Sequence, residues 1–148
     1  MNYTFYVVDE TKMPPASARG TALASPAALR TAVEKHGGRW SSVDADVQSF
    51  AGTFSTVDEL IGSESYLANL AFTGSPGMLL AGYGGSWRMG YFDASLVHHL
   101  YGALSGLATE IEAAISEKPE GAEDVYRAFA SALEEAGERG FGVAILHG

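Results

Sequence analysis

From Leu96 onward apolar side chains return at steps of four, four, three, four and four: Leu96, Leu100, Leu104, Leu107, Ile111 and Ile115. That rhythm keeps one side of a 3.6-residue helix apolar and predicts an amphipathic helix of about six turns. Asp93, directly after Phe92, stands where an N-cap carboxylate accepts the free amides of the first turn. A second stripe, Val125, Phe129, Ala132, Leu133 and Ala136, predicts a helix starting near Glu123 with Gly140 as its C-cap. Ser25-Pro26 marks the first helix of the chain, with Leu29 and Val33 on its apolar side and Gly37-Gly38 as its stop. Val43, Val47, Phe50 and Phe54, spaced four, three and four, predict a short helix that Gly52 interrupts or ends. Thr56 and Glu59 read as a capping box ahead of Leu60, and a turn after Ser63 brings Leu67, Leu70 and Ala71 inward.

Other stretches carry strand patterns. Tyr3 to Val8 and Phe141 to Leu146 are short, nearly continuous apolar runs of the kind buried strands show. Met78 to Tyr83 and Ser86 to Phe92 are separated by Gly84-Gly85, a pair suited to a tight hairpin turn. Alternation places Trp87, Met89 and Tyr91 on one hairpin face, expected in the core beneath the long helix. Ser86, Arg88 and Gly90 take the other, which makes Arg88 a surface candidate. Thr11 to Thr21, with Pro14-Pro15, reads as an exposed loop, and Thr73-Gly74 and Pro76-Gly77 as turns before the hairpin. Lys118-Pro119-Glu120-Gly121 links the last two helices. The expected fold is one α+β domain over residues 1–148, a small, mainly antiparallel sheet covered by helices starting near Pro26, Ala94 and Glu123. Its sheet should contain the hairpin at 78–92 and the strands 3–8 and 141–146, with Leu100, Leu104 and Leu107 among the most buried residues.

Four segments together carry a family resemblance: AFTGS, the glycine-bearing hairpin, YFDASLVHHLYGAL, and RAFASALEEAGERGFGVAILHG. The pattern resembles the YfbM-like family of small bacterial α+β proteins over roughly residues 60–148, matched at Phe72-Thr73-Gly74, at Phe92-Asp93 and from Phe129 to Leu146. The resemblance implies a fold and no established activity, and it assigns no catalytic residue.

Composition narrows the chemistry. With 47% hydrophobic and 18% charged residues the chain is globular. The absence of cysteine excludes disulfides, thiolate metal sites and a cysteine nucleophile together. Met1 leads straight into TFYVV without a basic leader region, and no apolar run approaches the ~20 residues of a membrane span, so a cytoplasmic protein is expected. Net charge is −9, and residues 110–138 hold nine acids against only Lys118 and Arg127. No basic patch of the kind nucleic acid requires is visible, and the expected partner is a basic protein. Glu134, Glu135 and Glu138 are the candidate contacts, in the manner of acidic inhibitor or immunity-type proteins that mask a cationic groove. A solvated helix face that keeps the protein soluble accounts for the same charges.

Candidate catalytic constellations are thin. His98 and His99 are adjacent, so on a helix they point about 100° apart and cannot form the i, i+4 pair of zinc peptidases. His36 and His147 are distant in sequence, and no metal is expected. Asp44-x-Asp46 resembles a metal-holding pair, but the two are read as acids at a helix N-terminus. Gly82-Tyr83-Gly84-Gly85-Ser86 lacks the Lys-Ser/Thr of a Walker loop and the third glycine of a dinucleotide fingerprint, and no cofactor is expected. Ser86, His98 and Asp93 could form a hydrolytic triad only through tertiary structure. Gly102 and Gly106 weaken the long helix by up to ~1 kcal/mol each, which suggests close approach of another backbone, from this chain or a second copy. Monomer and homodimer both stand. The expected function is a non-enzymatic protein- or ligand-binding module. The alternative is a small hydrolase or ligand-dependent enzyme using His98 or His99 near the hairpin.

Overall fold

Every residue of the last strand, β4 (Gly142–His147), is buried, so neighbours must cover both its faces and both its edges. β1 (Asn2–Val8) pairs with one edge and β3 (Met89–Phe92) with the other. β2 (Gly37–Asp44) extends the sheet beyond β1, giving the order β2-β1-β4-β3 with each pair antiparallel. The computed structural model describes residues 1–12, 26–62, 67, 71, 89–118 and 120–148. Within them lie four helices, α1 (Pro26–His36), α2 (Val47–Ile61), α3 (Ala94–Ser116) and α4 (Ala122–Arg139), and a 3-10 turn at Glu10–Lys12. The result is a single small α+β domain with an antiparallel sheet. Among the described residues no helix is long and apolar enough to cross a membrane.

The strand period of two sorts side chains onto two layers. Tyr3, Phe5, Val7, Phe92, Val143 and Ile145 face the main core, where α2, α3 and α4 supply Phe50, Phe54, Leu100, Ile111 and Phe129. Val8, Met89, Tyr91, Ala144 and Leu146 face the opposite side and pack with Val33 of α1. Met89 and Tyr91 are therefore core, as expected, but on the side away from α3. The predicted long helix is α3, with Leu100, Leu104, Ile111 and Ile115 buried, whereas Leu107 is only half-buried. The Asp93 carboxylate caps it by accepting from the Leu96 N–H at 2.8 Å. Glu10 adds a second carboxylate at the same helix end, accepting from the Ala94 N–H at 3.1 Å and from the Tyr91 hydroxyl.

Three expectations fail between residues 37 and 61. Val43 belongs to β2, not to a helix, and its spacing to Val47 is a coincidence of a buried strand position beside a helix. Helix α2 runs unbroken through Gly52 to a left-handed C-cap at Gly62, φ 62°. Its N-cap is Asp46, so Thr56 opens nothing; that hydroxyl sits mid-helix and donates to the Gly52 carbonyl at 2.8 Å. The expectations for Pro14-Pro15, the Ser25 cap, Leu70, the turns at 73–77, the hairpin strand and turn at 78–88, Ser86, Trp87 and Arg88 lie outside the described residues, as does the side chain of Leu29.

Leu67 and Ala71 lie against the sheet. Both are fully buried, and a Cβ on Gly90 would fall 1.9 Å from the Ala71 carbonyl oxygen. The same oxygen lies 2.8 Å from His147 Nε2. A carbonyl can only accept, so Nε2 carries the proton. The imidazole edge also meets the stacked rings of Tyr3 and Phe50, whose centroids are 3.7 Å apart.

Phe129 is the ring on which the main core converges, against Phe5, Phe54 and Phe92. Phe129→Ala should cost about 3–5 kcal/mol of unfolding free energy, measured by urea titration. A second expectation concerns acid. The Ser49 N–H and then the Ser49 hydroxyl hold the Asp46 carboxyl below its ordinary value. A depressed folded value brings stability that is present above the unfolded aspartate value near ~3.9 and is lost as pH falls through the folded value. Asp46→Asn keeps a capping oxygen without a titrating charge. The gap in urea midpoint between wild type and this variant should therefore narrow from about pH 5 to about pH 3.

Candidate functional site

Helices α3 and α4 are joined by a short connection, so they run antiparallel with their apolar stripes facing the sheet and each other. Far from that connection, Tyr101 lies against Gly137. A Cβ on Gly137 would come 2.6 Å from the tyrosine ring. Nearer the connection the helices leave a surface groove of about 730 Å³. Its floor is apolar: Leu104, Ala108 and Ile115 from α3, Ala130 and Leu133 from α4. Three carboxylates, Glu112, Glu123 and Glu134, stand on its walls, together with Tyr101 and Tyr126. Tyr126 is buried, and burial followed by the negative charge of Glu112 pushes its phenol up from the ordinary value. At neutral pH it is therefore a hydroxyl donor beside carboxylates.

A second depression lies on the other side of α4, against β2. Ser42, Val43 and Asp44 face Asp124 and Ala128 across it, and Arg127 and Ser131 line both depressions. Arg127 is already engaged within its helix, at 2.7 Å from Glu123 and 3.8 Å from Asp124. The β2 side is shaped by a bulge. Phe5 pairs with Ser41 and Tyr6 with Arg39, which leaves Trp40 as the extra residue. A bulge lets successive side chains turn the same way. Trp40 Nε1–H accordingly donates to Ser131 Oγ at 2.8 Å, while the Ser41 hydroxyl donates to the Ala128 carbonyl at 2.8 Å.

The residues singled out from sequence divide unevenly around this surface. Glu134 and Glu138 are exposed on α4. Glu135 is largely covered and paired with Arg139, so it does not belong to the open acidic face. His98 and His99 are both exposed on α3 and line neither depression. His36 is exposed and His147 buried, and no cluster of metal-binding side chains occurs among the described residues. Asp46 is a helix cap. Gly102 and Gly106 are both exposed, with no described atom within 4 Å of where a methyl group would stand, so no described backbone of this chain closes on them. Close helix contact falls at Gly137 instead, against a side chain.

Sequence reasoning missed Trp40, Tyr101, Glu112 and Tyr126. Trp40 had one available signal, a lone large aromatic in the polar run GGRWSSVD. No protein-family model, curated protein or solved structure matches the chain. What fold and surface define together is a small α+β domain presenting an acidic, groove-bearing helical face.

The Gly137 contact yields a stability test. Glycine to alanine inside a helix normally stabilises by up to ~1 kcal/mol. Here the new methyl meets Cβ and Cγ of Tyr101, the stiff end of that side chain. Gly137→Ala should therefore lower the urea midpoint in wild type and lower it less in a Tyr101→Ala background, which removes the ring atoms at 2.6 and 2.8 Å but keeps the Cβ at 2.9 Å. Additive effects in the double variant would show that the two residues do not touch.

Proposed function

We propose that the protein is a non-enzymatic binding module whose acidic α3–α4 face takes a basic protein partner. One observation carries this reading: an apolar-floored groove of about 730 Å³ walled by Glu112, Glu123 and Glu134, in which the described cation, Arg127, is already paired inside its own helix. Lysine and arginine match such a surface, because their aliphatic stems cover apolar area while their charged ends reach carboxylates. The uneven charge of residues 110–138 widens the negative field around the groove. Such a field acts chiefly on the rate of encounter and weakens as salt screens it. The resemblance to YfbM-like proteins is part of the same proposal at the level of family, and it adds no activity.

The test uses a short basic peptide and the double variant Glu112→Gln, Glu134→Gln. Its association rate constant should fall several-fold relative to wild type at low salt, with a flatter dependence on salt concentration. An unchanged rate constant from low to high salt would mean that these carboxylates are only solvated.

A further inference from the structure

We propose that Trp40 is the aromatic anchor of this surface and that it receives an arginine side chain of the basic partner. The inference rests on the reading above and narrows it to a residue and a side-chain type.

Trp40 occupies an unusual position for a large ring. It is 46% exposed, on the outermost strand among the described residues, at the bulge between the Phe5 and Tyr6 pairings. A bulge on an edge strand blunts sheet-to-sheet pairing. That role needs no tryptophan, and it does not require the ring to be held. Yet the indole is held, because its N–H is fixed to Ser131 Oγ at 2.8 Å. A half-exposed ring whose orientation is set before binding loses little conformational freedom when a partner arrives. Tryptophan in that condition is the residue type most enriched at binding hot spots.

Trp40 lines neither depression but bonds Ser131, which lines both, and the charges of those depressions select the partner's side chain. Ser131 lies where the two depressions meet, and Arg127 and Glu134 are its neighbours one turn away on α4. Carboxylates line both sides: Asp44 and Asp124 toward β2, Glu112, Glu123 and Glu134 toward α3. Five acids thus line the two depressions; Glu123 and Asp124 are paired with Arg127, which leaves Asp44, Glu112 and Glu134 for a partner's cation. An ammonium would satisfy the charge. A guanidinium satisfies it and also stacks flat on an indole while its edge donates two parallel bonds to a carboxylate. The occupant that uses both the ring and the acids is therefore an arginine-bearing segment of a basic protein, lying across α4.

The experiment titrates the full chain with a short oligoarginine peptide and a matched oligolysine peptide, reading affinity and the Trp40 indole N–H resonance by NMR. Trp40→Phe assigns that resonance between the two tryptophans of the chain. The arginine peptide should bind about two- to five-fold more tightly than the lysine peptide and should shift the Trp40 resonance. Trp40→Ala should bring the arginine peptide down to the lysine level while leaving lysine binding unchanged. A Trp40 resonance that stays in place at saturating arginine peptide overturns the anchor using the wild-type protein alone. So does a Trp40→Ala variant that still prefers arginine. In either case salt-dependent binding of both peptides leaves the acidic-face reading standing. Failure of both peptides to bind wild type overturns the two together.

Discussion

Burial of β4 on both faces is the constraint from which the architecture follows. A strand with no exposed residue needs apolar cover above and below, and its backbone needs a partner at each edge. Helices α2, α3 and α4 supply the cover on one side and α1 on the other. The two layers are unequal. The main core carries the large aromatics, whereas the α1 side is a small cluster around Met89, Tyr91 and Leu146. Even the polar residue of β4 is absorbed: His147 lies against Tyr3 and Phe50 and donates to the Ala71 carbonyl that rests on Gly90. A side chain in place of that glycine would displace the main chain at Ala71.

Polar groups at the helix ends are satisfied by the same kind of close contact. Asp93 and Glu10 meet the open amides of α3, and Asp46 those of α2. Thr53 of α2 donates to both the Ser49 and Ala122 carbonyls, tying α2 to the start of α4. With α4 fixed at its start by that bond and near its end by Tyr101 against Gly137, the space between becomes the groove. The candidate site is thus a product of how two helices are pinned, not of any loop.

That origin bears on the chemistry. A groove between two packed helices sets the backbone positions that carry its carboxylates. Tyr126 adds a hydroxyl and Trp40 an aromatic face to an otherwise electrostatic surface. Negative charge alone would steer many basic proteins toward this face. The two rings and the apolar floor are what give it shape.

Much of the fold was legible in the chain. The stripes of α3 and α4, the Asp93 cap, the Gly140 end and the strands β1 and β4 follow from local periodicity and capping chemistry, which need only near neighbours in sequence. β2 was not legible, because GGRWSSVD offers almost no apolar alternation; it is a strand because β1 has an edge to fill. The same limit applies to the site. Sequence placed the acids of residues 110–138 on two antiparallel helices, but it spread them over one continuous face that included Glu135. Packing hid Glu135 beside Arg139, opened a groove at Glu112 and Tyr126, and carried Trp40 across 91 positions to Ser131. Sequence alone determined which helices and strands could form, since those depend on short-range spacing. Tertiary structure decided which polar and aromatic side chains meet, because bonds between distant residues have no period for a sequence to display.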